Sequence, residues 1–266
     1  MEVSVTASAK LTLSLRVTGV RGDGLHLLDA EMVSIDLADT LAFEAGSGIV
    51  VDDEVRGGLG VAGVPAGPEN LVTRALAAVQ RSAAVRLVKR IPVGAGLGGG
   101  SADAAAVLRW ARCDDLALAV RLGADVPFCV RGGRARVTGV GEILEPLSFE
   151  NRRFILLMPP VSVDTGAVYA RWDDRGANAV GHRGKEDSEA NDLEAAAIDV
   201  APTLARWRDR LAEVTGLRPR LAGSGSSWFV ESDGEELGIA EREFLELDGE
   251  RAPLVAVRTV PAYQVS

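Results

Sequence analysis

From Val3 to Thr18 apolar and polar residues alternate. Val3, Val5, Ala7, Ala9, Leu11, Leu13, Leu15 and Val17 fall on one side, Ser4, Thr6, Ser8, Lys10, Thr12, Ser14, Arg16 and Thr18 on the other. A period of two predicts a half-buried β-strand, bent or interrupted at its small residues. "GVRGDG" (19–24) reads as a turn, and "EMVSIDLADTLAFEA" (31–45) as further strand of antiparallel style. The glycine-rich residues 46–68 read as a short hairpin followed by a loop. Over 69–83 the period lengthens: Leu71, Val72, Ala75, Leu76 and Val79 share one helical stripe. "AVRLVKRIPV" (84–93) returns to strand. "DDLALAVRLGADVPFCV" (114–130) predicts a helix ending at Gly123 and then a loop through Pro127, and residues 133–147 a closing hairpin.

The texture changes at "FILLMPP" (154–160). Helices are expected near 192–198, 201–215 and 234–246, a strand–turn–strand around "LAGSGSSWFV" (221–230), and a last strand at "PLVAVRTV" (253–260). The polar run at 173–192 has too few apolar residues to anchor it and predicts a mobile segment. Strands and helices mix without strict βαβ alternation, which gives an α+β class. A boundary at 148–153 divides the chain into domains 1–150 and 151–266.

The chain has 266 residues, of which 47% are hydrophobic and 25% charged, and this composition is that of a soluble globular protein. A net charge of −9 speaks against nucleic acid as a partner, since no basic stripe is present. It leaves room for one local anion site. No apolar run approaches the ~20 residues of a membrane span, and the N-terminus lacks the blocks of a signal peptide. A cytoplasmic protein with no membrane partner is expected, a monomer or weak homodimer. Cys113 and Cys129 have no metal-binding spacing, and with only His26 and His182 to join them no four-ligand structural metal site is expected. Buried, reduced thiols are the reading.

The densest chemical signal is "IPVGAGLGGGSADAAAVLRW" (91–110), where five of the seven residues from Gly94 to Gly100 are glycine. An alanine-rich helix follows, with Ser101 as the expected N-cap. Free amides at a helix start carry the positive end of the dipole, and bare glycines upstream let more amides converge. Such a construction binds phosphate oxygens. A plain strand-to-helix turn needs far fewer glycines. A P-loop would end in lysine followed by Ser or Thr, which this loop lacks. Gly94-x-Gly96-x-x-Gly99 satisfies the dinucleotide fingerprint literally, but that motif belongs in an early βαβ unit, whereas here it follows some ninety residues of antiparallel-looking chain. A triphosphate loop of another lineage remains.

"IPVGAGLGGGSADAA" resembles the phosphate loop of the GHMP kinases. The order of "ASAKLTLSLRVTGVRGDGLHLLDAEMVSIDLADTL", "ENLVTRA", "LGADVPFCVRGGRARVTGVGEIL", "NDLE" and "AGSGSS" is most similar to the branch of that superfamily that acts on 4-diphosphocytidyl-2-C-methyl-D-erythritol. The resemblance is weakest over 46–66 and 172–190. It implies a two-domain fold, an N-terminal domain like that of ribosomal protein S5 and a ferredoxin-like C-terminal domain, with the active site in the cleft between them. It implies transfer of the γ-phosphoryl group of ATP, accompanied by Mg²⁺, to the 2-hydroxyl of that substrate, in the non-mevalonate isoprenoid precursor pathway.

By the same resemblance Lys10 and Asp125 match the catalytic lysine and aspartate. On their own pattern they would be a solvated strand lysine and a turn or capping aspartate. Pro92, Gly94, Gly96, Leu97, Gly98, Gly99, Gly100, Ser101 and Ala102 match the phosphate loop. No fixed protein metal site is implied; Ser101 and Asp103 are the nearest candidates to assist Mg²⁺. His26 matches a histidine that reads the cytosine edge, Tyr169 an aromatic that covers the base, and Gly223 and Ser224 a second glycine turn at the substrate. Two positions depart: Leu25 stands where tyrosine is usual, and Thr12 where asparagine is usual. These departures keep open a GHMP-fold kinase of a different small alcohol, or a paralogue with weakened activity. A non-catalytic binding protein is the third reading, against which the retained Lys10, Asp125 and glycine loop all speak.

Overall fold

The computed structural model describes residues 2–56, 64, 67–176, 190–235, 238 and 242–264. The alternating N-terminal segment forms β1 (Val3–Val20), which pairs antiparallel with β2 (His26–Glu44). After β3 (Gly48–Asp53), α1 (Leu71–Ala78) and β4 (Ala84–Lys89), the glycine loop leads into α2 (Gly99–Trp110). Then come α3 (Leu116–Leu122), α4 (Val126–Arg131), β5 (Arg134–Gly139) and β6 (Ile143–Pro146). One sheet has the order β3-β4-β2-β5-β6, with β1 also on β2.

A second sheet is built from later residues: β7 (Arg153–Leu157), β8 (Arg220–Leu221), β9 (Trp228–Glu231), β10 (Phe244–Leu247) and β11 (Glu250–Arg258), ordered β10-β11-β7-β9-β8. Its helices are α5 (Thr165–Asp174), α6 (Glu194–Val200) and α7 (Thr203–Thr215). The class is α+β, as the mixed patterning predicts.

Four local expectations are corrected. In place of a hairpin within 46–68, β3 lies parallel to β4, which takes the place beside β2 and leaves β3 on the sheet edge, and residues 57–63 and 65–66 lie outside the described ones. Residues 126 and 127 are not loop: Pro127 falls in the first turn of α4, where its missing N–H costs nothing. In place of a helix over 234–246, residues 244–247 are strand β10, paired with β11, and residues 236–237 and 239–241 lie outside the described ones. α2 starts at Gly99, capped by Gly98 in the left-handed region, so Ser101 is inside the first turn and is not the cap. The expected mobile run of 173–192 falls largely on residues 177–189, outside the described ones.

β1 also departs from the simple half-buried strand. From Ala7 to Leu13 every residue is buried, polar ones included. The register with β2 breaks between Ser8 and Lys10 and again between Thr12 and Ser14. Ala7, Leu15 and Val17 serve one apolar cluster, whereas Ala9, Leu11 and Leu13 serve another, with Leu97, Phe154, Leu156 and Phe229. The strand thus changes core at both of these breaks. Its polar positions Lys10 and Thr12 are covered by other chain segments instead of water. Cys129 is buried, which raises its thiol pKa to about 12, and Cys113 is half-buried; both are free. Among the described residues no helix is long and apolar enough to cross a membrane.

Candidate active site

The glycine loop joins β4 to α2 by a curl in which alternate glycines, Gly94, Gly96 and Gly98, have φ of 71°, 75° and 69°. Side chains rarely adopt that region, and here they would also collide. A Cβ on Gly96 would lie 2.1 Å from the Ala222 carbonyl oxygen and 2.7 Å from that of Gly225. One on Gly98 would meet the Lys10 stem at 2.8 Å. The loop is therefore bare because two other segments press on it. One is the glycine–serine turn between β8 and β9, tied on by Ser227 N–H donating to the Ala95 carbonyl (3.1 Å). The other is β1, where Lys10 N–H donates to the Leu97 carbonyl (3.0 Å). Asn191, of the "NDLE" motif, donates its amide to the carbonyls of Leu221 (3.0 Å) and Gly223 (2.7 Å) and so steadies the second turn.

A cavity of about 450 Å³ opens where these segments meet. Of the candidate residues it is lined by Lys10, Thr12, Pro92, Gly94, Gly96, Gly98, Gly99, Gly100, Ser101, Asp125, Tyr169, Gly223 and Ser224. Lys10, 5% exposed, donates to Thr12 Oγ1 (3.1 Å) and lies 3.5 Å from Asp125 Oδ2. Asp125 occupies the cap position of α4 but makes no capping hydrogen bond, so its carboxylate, with 31% of its side chain exposed, is open to the cavity. Leu97 and Ala102 turn their side chains into the core and offer only backbone.

His26 and Leu25 stand apart from that lining. His26 Nε2 donates to Asp173 Oδ1 (2.8 Å), its ring lies 4.6 Å from that of Tyr169, and Trp172 meets it edge-on at 5.6 Å. Tyr169 thus links this aromatic group to the cavity. Leu25 is 48% exposed, with its side chain outside the group. Trp172 belongs to the group as well as to the core, although nothing in its sequence context sets it off from Trp110, Trp207 and Trp228.

Sequence patterning alone misses one charged cluster behind the loop. Lys89, 2% exposed, is paired with Asp39 and, at 2.8 Å, with Asp103. Asp39 Oδ1 also accepts from the amides of Arg90 (2.5 Å) and Ile91 (2.9 Å). The three side chains clamp the strand exit to the helix entry, and so bracket the loop at both stems. Burial opposes the Lys89 charge, but Asp103 and Asp39 outweigh it and raise its pKa. For Asp103, burial prevails over Lys89 and raises the pKa to about 7. Replacing Lys89 with methionine strands both carboxylates and is expected to cost about 3–5 kcal/mol in urea unfolding. A loss below about 1 kcal/mol would show that the cluster carries little strain when broken.

A model of the GHMP kinase N-terminal domain matches residues 70–133, which span α1, the glycine loop and Asp125. A protein of Cereibacter sphaeroides, named 4-diphosphocytidyl-2-C-methyl-D-erythritol kinase, is 40% identical over 84% of this chain and 87% of its own length. The chain belongs to this family of kinases. The kinase of the same name from Methylibium petroleiphilum is 38% identical over 90% of this chain and 88% of its own. A crystal structure of a 4-(cytidine 5'-diphospho)-2C-methyl-D-erythritol kinase matches 98% of this chain and 100% of its own, with 34% identity and a TM-score of 0.70. A mevalonate kinase structure, at 13% identity and a TM-score of 0.59, shares the fold. Lys89, Asp39 and Trp172 are thus additions from the geometry to the GHMP kinase pattern read in this chain.

Proposed function

We propose that this kinase transfers the γ-phosphoryl group of ATP to the 2-hydroxyl of 4-diphosphocytidyl-2-C-methyl-D-erythritol, an isoprenoid precursor, in a cleft between domains 1–150 and 151–266. The observation that carries the chemistry is the 3.5 Å approach of Lys10 to Asp125 in the cavity that the glycine loop lines. The converging amides of the loop and of the first turn of α2 hold the triphosphate. Leu71, Pro92 and Val93 bring apolar surface into the same cavity, suited to the adenine ring. Asp125 orients the acceptor hydroxyl. A carboxylate is far too weak a base to ionise an alcohol in the ground state, so it receives the proton as the bond to phosphorus forms. Lys10 compensates the charge of Asp125 and of the phosphoryl group in flight, and positioning with electrostatics suffices for such a transfer.

Mg²⁺ fits the residues present. Ser101 offers a hydroxyl to the cavity, and Asp103, which also lines it, has a buried Oδ1 without a hydrogen-bond partner. These are hard oxygen donors of the kind Mg²⁺ takes, and they would hold it beside the triphosphate. Bound there it would neutralise phosphate charge. His26 and Tyr169 receive the cytosine, with Asp173 fixing the proton on His26 Nε2. Thr12 and the turn at Gly223 and Ser224 face the erythritol unit.

The test is ATP consumption with 4-diphosphocytidyl-2-C-methyl-D-erythritol beside mevalonate and homoserine. The cytidine substrate is expected to turn over at least a hundredfold better in kcat/KM, since the other two cannot engage His26 and Tyr169. Faster turnover of either competitor would overturn the substrate.

A further inference from the structure

Beyond Arg258 the chain leaves the second sheet and runs back across the first. Thr259 bridges to Ile35, Val260 N–H donates to the Ser34 carbonyl (2.9 Å), and Ser34 is the residue paired with Lys10 across β1 and β2. Ala262 then bridges to Gly132, and Tyr263 N–H donates to the Arg131 carbonyl (3.0 Å), at the far end of the helix that Asp125 begins. The ring of Tyr263 needs the space left by Gly132, whose Cβ would meet it at 2.9 Å.

Tyr263 has two further contacts. Its hydroxyl accepts the Ser8 N–H (3.1 Å) at the register break that precedes Lys10. Its face lies 3.7 Å from the guanidinium carbon of Arg109, a residue of α2. Arg109 in turn donates to the Cys129 carbonyl of α4 (2.5 Å) and to the Thr6 carbonyl of β1 (2.7 Å). One knot thus joins the strand of Lys10, the helix of Asp125 and the helix that follows the glycine loop.

We infer that Tyr263 is a positioning residue for phosphoryl transfer, setting the separation of Lys10 and Asp125 from behind without touching either substrate. The inference rests on the reading of Lys10 and Asp125 as the reacting pair. A displacement of about 1 Å at a reacting group costs up to ~10²-fold in rate, which is the scale on which such a strap acts. Tyr263→Phe keeps the ring over Arg109 and loses only the acceptor for Ser8. Tyr263→Leu loses both.

The experiment measures kcat and KM per mole of nucleotide-binding enzyme, so that any unfolded fraction drops out. Tyr263→Leu is expected to lower kcat about 10–100-fold and Tyr263→Phe a few-fold, with KM for ATP within about twofold of the parent. Residual activity is also followed in a Lys10→Gln background by transfer of labelled phosphate. There Tyr263→Leu should cost clearly less than in the parent, because one member of the pair it positions is already absent. Parent-like kcat in Tyr263→Leu, or a loss that multiplies in the Lys10→Gln background, would overturn the inference. Should Tyr263→Leu not fold, Tyr263→Phe decides alone, parent-like kcat counting against it. Asp125→Asn in the same series separates the two levels: if it keeps parent turnover the underlying reading fails, and if it does not, the Tyr263 result stands by itself.

Discussion

Replacing Asp125 with asparagine is expected to lower turnover by roughly 10²–10⁴-fold, the range for loss of a general base. The substitution is nearly isosteric and removes charge and proton affinity only. Nothing structural should fail, because the carboxylate makes no capping hydrogen bond to α4 and its one charged partner among the described residues is Lys10, 3.5 Å away. ATP affinity should stay within about threefold of the parent, since the triphosphate is held by the loop amides on other segments. Labelled phosphoryl transfer at saturating substrates and equilibrium binding of a non-hydrolysable ATP analogue measure the two quantities. Turnover equal to the parent would remove Asp125 from the chemistry.

The second large effect is expected from Gly96→Ala. Alanine at φ 75° is strained by about 1–2 kcal/mol, and its methyl group would overlap the Ala222 carbonyl oxygen at 2.1 Å. Backbone on both sides leaves no flexible side chain to give way. Either the loop or the turn at 222–225 must move, and both line or support the cavity. KM for ATP should rise on the order of 10²-fold, with a stability loss of about 2–4 kcal/mol in urea. Gly100→Ala is the matched control. That position is helical, its φ is not in the left-handed region, and the nearest obstacle is the Leu71 side chain at 3.3 Å. A stability change within about 1 kcal/mol is expected there, because alanine is also the better helix former. An equal stability loss at both positions would mean that the loop is sensitive to any added methyl, and the contact with the second turn would lose its special standing.

Much of this was legible in the chain. Period-two alternation marked β1, the helical stripe marked α1, and the glycine run marked the loop before α2. Local pattern could not tell what covers a polar face: Lys10 and Thr12 look solvated along β1, and become buried only because distant turns close over them. Nor could it order β3 beside β4, since neither strand carries a mark of its neighbour. The buried charges left a trace that pattern-reading passed over. Lys89 is in phase with Val85 and Leu87, and Asp39 with Leu41 and Phe43, all buried positions of their strands. A charge in step with apolar neighbours implies an internal partner. In the second half, the glycine-rich turn was visible between its strands, whereas the grouping of Trp172 with His26 depends on an approach between residues nearly 150 positions apart, which no window of sequence contains.

The register breaks that flank Lys10 and Thr12 make the strand unforgiving of length. A point substitution at a small residue leaves its neighbours where they were. Deleting a single amino acid between Ser8 and Ser14 would instead present leucine to the cavity and drive an ammonium group into an oily interior. Variation among natural relatives should therefore show exchanges of similar size at its small apolar positions, with the lysine kept and no insertions or deletions within it.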